Sequence, residues 1–244
     1  MPAIGNIILS TESSDAAILI DGVAMPVRVR RSARARAYKL TIDGLRGELR
    51  LSLPARANLK RALGWAQGHE DWVRAQMAVT PAVTLLGDGA TFPLEGREVR
   101  ICWLAGATRT IRLEDDRLIL GGAAESVGAR VLRWLRTRAK AVLEAETLAM
   151  AQDHGLIVAS VGTGDTRSRW GSCTSSGAIR YSWRLILAPA WVRRSTVAHE
   201  LAHLLHMDHS PAFHAAHARI YGEDPRPARA WLKAHGAGLH RYQA

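Results

Sequence analysis

The chain has 244 residues, 48% of them hydrophobic, and 33 Lys and Arg against 22 Asp and Glu give it a formal net charge of +11. That apolar content is enough for one large or two ordinary cores and excludes a disordered polyelectrolyte, while two cysteines, Cys102 and Cys173, exclude a disulfide scaffold. No apolar run approaches the roughly 18 residues of a membrane span, and residues 1–10 lack the basic-then-apolar pattern of an export signal, so a soluble cytoplasmic protein is expected.

The first half reads as β-rich. Ala17–Ile20, Met25–Arg30, Tyr38–Ile42 and Glu48–Leu53 have strand composition, punctuated by Asp21-Gly22, Asp43-Gly44 and Pro54. Between Val27 and Lys39, Arg28, Arg30, Arg34 and Arg36 share even parity opposite Val27 and Val29, the alternation of a half-buried strand with a basic outer face. Such a face is either a charged guard against aggregation or a binding surface for anions, nucleic acid among them. One helix is predicted over 57–77, with Leu59, Leu63, Ala66 and Val73 in its core and Trp65 and Trp72 used for packing. Thr91–Leu94, Glu98–Leu104, Thr108–Leu113 and Arg117–Leu120 form a second set of strands, and Gly121-Gly122 is where a domain boundary is expected.

Beyond it, Val131, Leu132, Leu135, Ala139, Val142, Leu143 and Leu148 predict a long amphipathic helix over 126–152, with Arg133, Arg136 and Arg138 toward solvent. A strand near Leu156–Val161 precedes a hairpin whose turn is Thr174–Gly177 and whose second strand is Ala178–Trp183. There Arg180, Ser182 and Arg184 alternate against Ile179, Tyr181 and Trp183, so the polar three are expected on one face. A helix beginning near Pro189 carries His199, and two shorter helices, 211–221 and 225–235, complete the chain.

The sequence His199-Glu200-Leu201-Ala202-His203 is the chemical centre of the reading. Positions four apart lie on one helical face, so His199 and His203 can hold one ion while Glu200 flanks its open side. Chance would supply this pattern roughly 0.04 times in a chain of such composition. His209 is the expected third ligand. A continuous helix would carry it about 9 Å along the axis and off the face, but Ser210-Pro211 reads as the cap and first residue of a new helix, leaving His209 in a turn that can fold back. The rival His206 would stand about 10.5 Å along the axis from His199, too far for a shared ion at about 2.0 Å from each nitrogen. His214 and His217, on the following helix, are read as surface or supporting groups. Three neutral imidazoles leave zinc its charge and one open position for a water whose pKa falls toward neutrality, with Glu200 as the proton acceptor.

Four blocks, Arg169-Trp170-Gly171-Ser172-Cys173, Ile179–Ile186, His199–His203 and His209–Phe213, closely resemble the YgjP-like zinc metallopeptidase family, and the stretch from Arg30 to Arg36 is similar to its N-terminal region. The residue patterns predict an α+β protein, with a β-rich domain with one helix over 1–122 and a mainly helical domain with a small hairpin sheet over 123–244; the resemblance implies that the second is a zincin-like catalytic domain related to SprT and Wss-type proteases. It also implies zinc as the cofactor, His199, His203 and His209 as its ligands and Glu200 as catalytic acid/base. Asp208 stands where the family commonly has Asn, and His214 where it has Trp.

Three activities follow as expectations. The first is zinc-dependent peptide hydrolysis, with the Ala178–Trp183 strand offering an edge to an extended peptide. The second is hydrolysis of a nucleoside triphosphate such as UTP, described for some family members, with Arg167, Arg169, Arg180 and Arg184 neutralising phosphates. Arg169, Arg180 and Arg184 are thus the expected substrate-binding residues, unless they serve as ion-pair partners of Asp165 or the C-terminal helices. The third is a basic nucleic-acid-binding module with structural zinc, which Glu200 disfavours because a closed site needs a fourth protein ligand and no base.

Overall fold

The computed structural model describes residues 8–9, 15–44, 47–79 and 82–244; the reading of residues 1–10 as lacking an export signal falls largely outside them. Helices and several small sheets alternate along the chain, which divides into two compact units, Met1–Val83 and Thr84–Ala244. The division precedes the boundary expected at Gly122. Phe92, Ile101, Leu118 and Leu120, from the second set of strands, share one apolar core with Val131 and Leu135 of the long helix and with Leu201. Gly121-Gly122 is therefore a turn inside this unit, where Gly121 packs on Ala107 too tightly for any side chain.

In the first unit, β1 (Ile8–Leu9), β2 (Asp15–Ile20), β3 (Val23–Ser32), β4 (Lys39–Asp43) and β5 (Glu48–Pro54) form a sheet in the order β1-β2-β3-β5-β4, with only β3 and β5 parallel. Ile18, Leu49, Leu51 and Leu53 are wholly buried beneath Leu63, Ala66 and Val73. The expected single helix is two, α1 (Leu59–Gln67) and α2 (Glu70–Val79). Gly68 is a weak helix former, and Gln67 just before it is held by β2, donating to the Leu19 carbonyl at 2.6 Å and accepting from its amide at 2.9 Å. On β3 the expected alternation holds, Val27 buried and Arg28 and Arg30 exposed; Arg34 and Arg36 lie beyond its end.

The second unit begins with β6 (Thr84–Leu85), then β7 (Thr91–Leu94), β8 (Arg97–Trp103), β9 (Arg112–Glu114) and β10 (Arg117–Leu120), the last four in a sheet of order β7-β8-β10-β9. Thr108–Ile111, expected in a strand, lie outside β9. The helix α3 (Val127–Asp153) buries Val131, Leu135, Ala139 and Leu143, while Leu148 faces outward at 51% exposure. Next come β11 (Ser160–Gly164), β12 (Gly171–Cys173) and β13 (Ala178–Ser182), then a short 3-10 turn over Trp183–Leu187. The strand expected at 156–161 thus starts later, and the strand expected to reach Trp183 stops at Ser182. In the order β11-β13-β12, β13 is central, paired on both sides, so the edge expected there belongs to its neighbours.

The remaining elements are α4 (Ala190–Ala202), α5 (Pro211–Tyr221), α6 (Arg226–Leu239) and β14 (Tyr242–Gln243), the last beside β6. Ser210 caps α5 by accepting from the Phe213 amide, Pro211 occupies the first turn, and Gly222 ends the helix at φ 82, a conformation that favours glycine. Among the described residues no helix is long and apolar enough to cross a membrane.

Candidate metal centre

The helix α4 ends at Ala202, and the chain turns through His203 and Asp208 before Ser210 starts α5. This bend returns His209 to the face that carries His199 and His203. One nitrogen from each of the three rings lies within 4.8 Å of the others, and the Nε2 atoms of His199 and His209 are 3.3 Å apart. Two nitrogens each about 2.05 Å from a tetrahedral centre stand roughly 3.3 Å apart, so that pair already has the separation of metal ligands. His203 Nδ1 lies 3.1 Å from the His206 carbonyl; a carbonyl only accepts, so Nδ1 carries the proton and Nε2 keeps its lone pair.

Burial, with smaller contributions from His217, His203, His209 and Arg229, lowers the His199 pKa to about 3, and burial also lowers that of His203. Neutral imidazole is the form that binds a metal. Phe213, wholly buried, stands 4.8, 4.5 and 4.7 Å from the ring centres of His199, His203 and His209 and backs all three. His217 Nε2 donates to the Ser195 carbonyl at 2.9 Å, and its ring meets that of His199 edge-on at 5.1 Å.

Glu200 projects from α4 beside the triad. Burial raises its pKa to about 7, opposed by the charge of Arg169. Its Oε2 is buried without a hydrogen-bond partner, and its side chain lies against Gly171 at the start of β12. A cavity of about 510 Å³ opens over His199, His209 and Glu200, walled by Trp170 and Leu232 and by Arg169, Arg226 and Arg229.

A family model described as YgjP-like, metallopeptidase domain, matches residues 36–235. The chain belongs to the YgjP-like family. No curated protein and no solved structure matches it. Membership makes it a hydrolase of metallopeptidase type at family level, and its histidine triad is a fitting seat for a metal ion.

Of the residues singled out for this YgjP-like chain from sequence, His199, His203 and His209 converge and Glu200 stands beside them. No fourth His, Cys, Asp or Glu joins the cluster among the described residues, and Cys173, its thiol pKa raised by burial and then by the charge of Glu200, stays outside it. His206 contributes its carbonyl rather than its ring. Arg169 lines the cavity, whereas Arg180 and Arg184 do not. Arg180 is exposed over Gly164. Arg184 is buried in the 3-10 turn, stacked 4.4 Å from the Trp183 ring, 3.3 Å from Asp165 and donating to the Leu239 and Tyr242 carbonyls. It is a structural cation, because the chain leaves the strand at Ser182 and the expected alternation ends there. Arg226 and Arg229 are site residues that sequence reasoning did not pick out, and Gly171 and Phe213, though inside the blocks that carry the resemblance, had no role there.

Proposed function

We propose that the chain is a zinc-dependent peptidase in which Glu200 is the general base. The observation that carries this reading is the three-nitrogen cluster with a carboxylate beside it whose Oε2 is buried and unpartnered, and no fourth ligand among the described residues. An all-imidazole donor set of three suits zinc in an open catalytic site and argues against a closed structural one. Zinc, when bound, supplies a Lewis acid that brings the pKa of a water molecule toward neutrality. Glu200 accepts the proton of the attacking water and returns it to the leaving group. Arg169 holds positive charge at the cavity, where it favours the ionised form of Glu200. The outer edge of β12 suits an extended peptide, because Gly171 on that strand adjoins Glu200, so a chain paired there would pass the triad.

Nucleoside triphosphate hydrolysis is the second reading, favoured by Arg169, Arg226 and Arg229 around the cavity. One experiment separates the readings. Wild type and Glu200→Gln, both loaded with zinc, are assayed on unfolded casein and on UTP. Peptidase function predicts casein cleavage that falls by about 100-fold or more in the variant, with zinc content unchanged. Turnover of UTP alone would move the assignment to the second reading, and equal rates for both proteins would remove Glu200 from the chemistry.

A further inference from the structure

We infer that the first unit carries a binding groove for single-stranded nucleic acid, built from Arg30, Arg34, Arg36, Lys39 and Tyr38. These residues line one concavity of about 710 Å³, with Ser32 and Ser52 among its walls. The sequence from Gly22 to Ile42 contains no carboxylate, so the groove has no acidic residue of its own stretch to neutralise it.

Four of the other cations of this unit are already engaged. Arg28 meets Glu48, Arg50 meets Asp43 and Glu48, Arg74 meets Asp21, and Arg31 donates to the Ala55 and Ala57 carbonyls at 2.9 and 2.8 Å. Among the described residues, Arg30, Arg34, Arg36 and Lys39 have no carboxylate within ion-pair distance. Four unneutralised cations around one groove form an attractive field for a polyanion.

Shape and lining select which polyanion. Tyr38 lies 5.5 Å from the ring centre of Trp65, which in turn packs 4.2 Å from His69. The tyrosine ring, a lining residue of the groove, is thus held by an aromatic neighbour, and an aromatic ring in a basic groove is what base stacking uses. The serine hydroxyls can donate to phosphate oxygens. A membrane surface is the poorer partner, since Ala35 and Ala37 are the only aliphatic residues of the lining and nothing there would insert into lipid.

The test is fluorescence anisotropy of the full chain with a labelled oligothymidylate of about 12 nucleotides, across a salt series. Four phosphate contacts predict a slope of about −2.8 in log affinity against log salt concentration. The double variant R34A/R36A should bind about tenfold more weakly and halve the slope, whereas R133A/R219A, exposed arginines of α3 and α5 removed with the same loss of charge, should change neither. Tyr38→Leu, which keeps an apolar group against Trp65, should weaken binding about fivefold without altering the slope. Equal weakening by the two arginine pairs would overturn the proposal, as would tighter binding to duplex DNA or to phosphatidylserine vesicles than to the single strand.

Discussion

Gly171 and Glu200 are packed so closely that a β-carbon on residue 171 would stand 2.6 Å from the Glu200 Cγ and Cδ atoms. No side chain fits there unless the carboxylate moves. Gly171→Ala is therefore expected to leave the three histidines in place and displace the base. A shift of about 1 Å in a catalytic group costs on the order of 100-fold in rate. The expected outcome is wild-type zinc content with turnover lowered by about that factor; a variant as fast as wild type would show that Glu200 works from another position.

Three histidines in and just after the bend, His206, His209 and His214, can be told apart by zinc affinity. His209 offers Nε2 at 3.3 Å from that of His199, while the His206 ring stays outside the cluster and His214 is exposed at 6.5 Å from the His209 ring. Chelator competition should find His209→Ala weakened by about 100-fold or more, the loss expected when an open three-ligand site becomes a two-ligand one. His206→Ala keeps the carbonyl that orients His203, so it should change affinity by less than about threefold, as should His214→Ala.

The metal-binding motif was legible because the helical repeat alone puts His199 and His203 on one face, and because Ser210-Pro211 announces a new helix that frees His209 to turn back. The long helix was legible from its apolar stripe. Periodicity says nothing, however, about which distant elements meet. Arg226 and Arg229 reach the cavity only because α6 packs near α4, a tertiary fact with no local signature. Arg184 was misread because strand alternation was carried past Ser182 into a turn whose five residues are all buried. The compact units divide elsewhere than at the expected boundary for a related reason: both units contain sets of short strands, and Gly121-Gly122 has the composition of a linker while Gly121 packs tightly against Ala107.

His240 makes stability sensitive to acid. Burial first, and then the charges of Arg184 and Arg167, hold its pKa at about 4 against the ordinary 6.5, with Asp165 opposing them. Its Nδ1 is buried without a hydrogen-bond partner, and its ring lies 5.5 Å from that of Trp170. Between these two pKa values the unfolded chain binds the proton and the folded one does not, so this contribution to stability is present above about pH 6.5 and declines as pH falls toward 4. Thermal melts of metal-free protein across that window should show a steeper fall for wild type than for His240→Phe, which keeps a ring against Trp170 and cannot titrate. Parallel curves would assign the acid sensitivity to other groups.

Arg193 ties the ligand-bearing helix to the rest of its unit. Its side chain is 2% exposed and reaches Glu146 on α3 at 2.7 Å and Glu95, in the β7–β8 turn, at 3.3 Å. Replacing it by Met would strand the partly buried Glu146 carboxylate, while Glu95 keeps Arg138 at 2.7 Å, a change that costs about 3 kcal/mol because the Glu146 charge would lose its partner. For a unit of this size the melting temperature should fall by roughly 6–12 °C. Arg193→Met together with Glu146→Met should recover part of the loss, since removing both members of a buried pair costs less than removing one. Zinc affinity should fall far less than stability in the single variant, because Arg193 precedes His199 by nearly two helical turns and contacts none of the three ligands; a matching collapse of both would mean that the ion pair shapes the metal site itself.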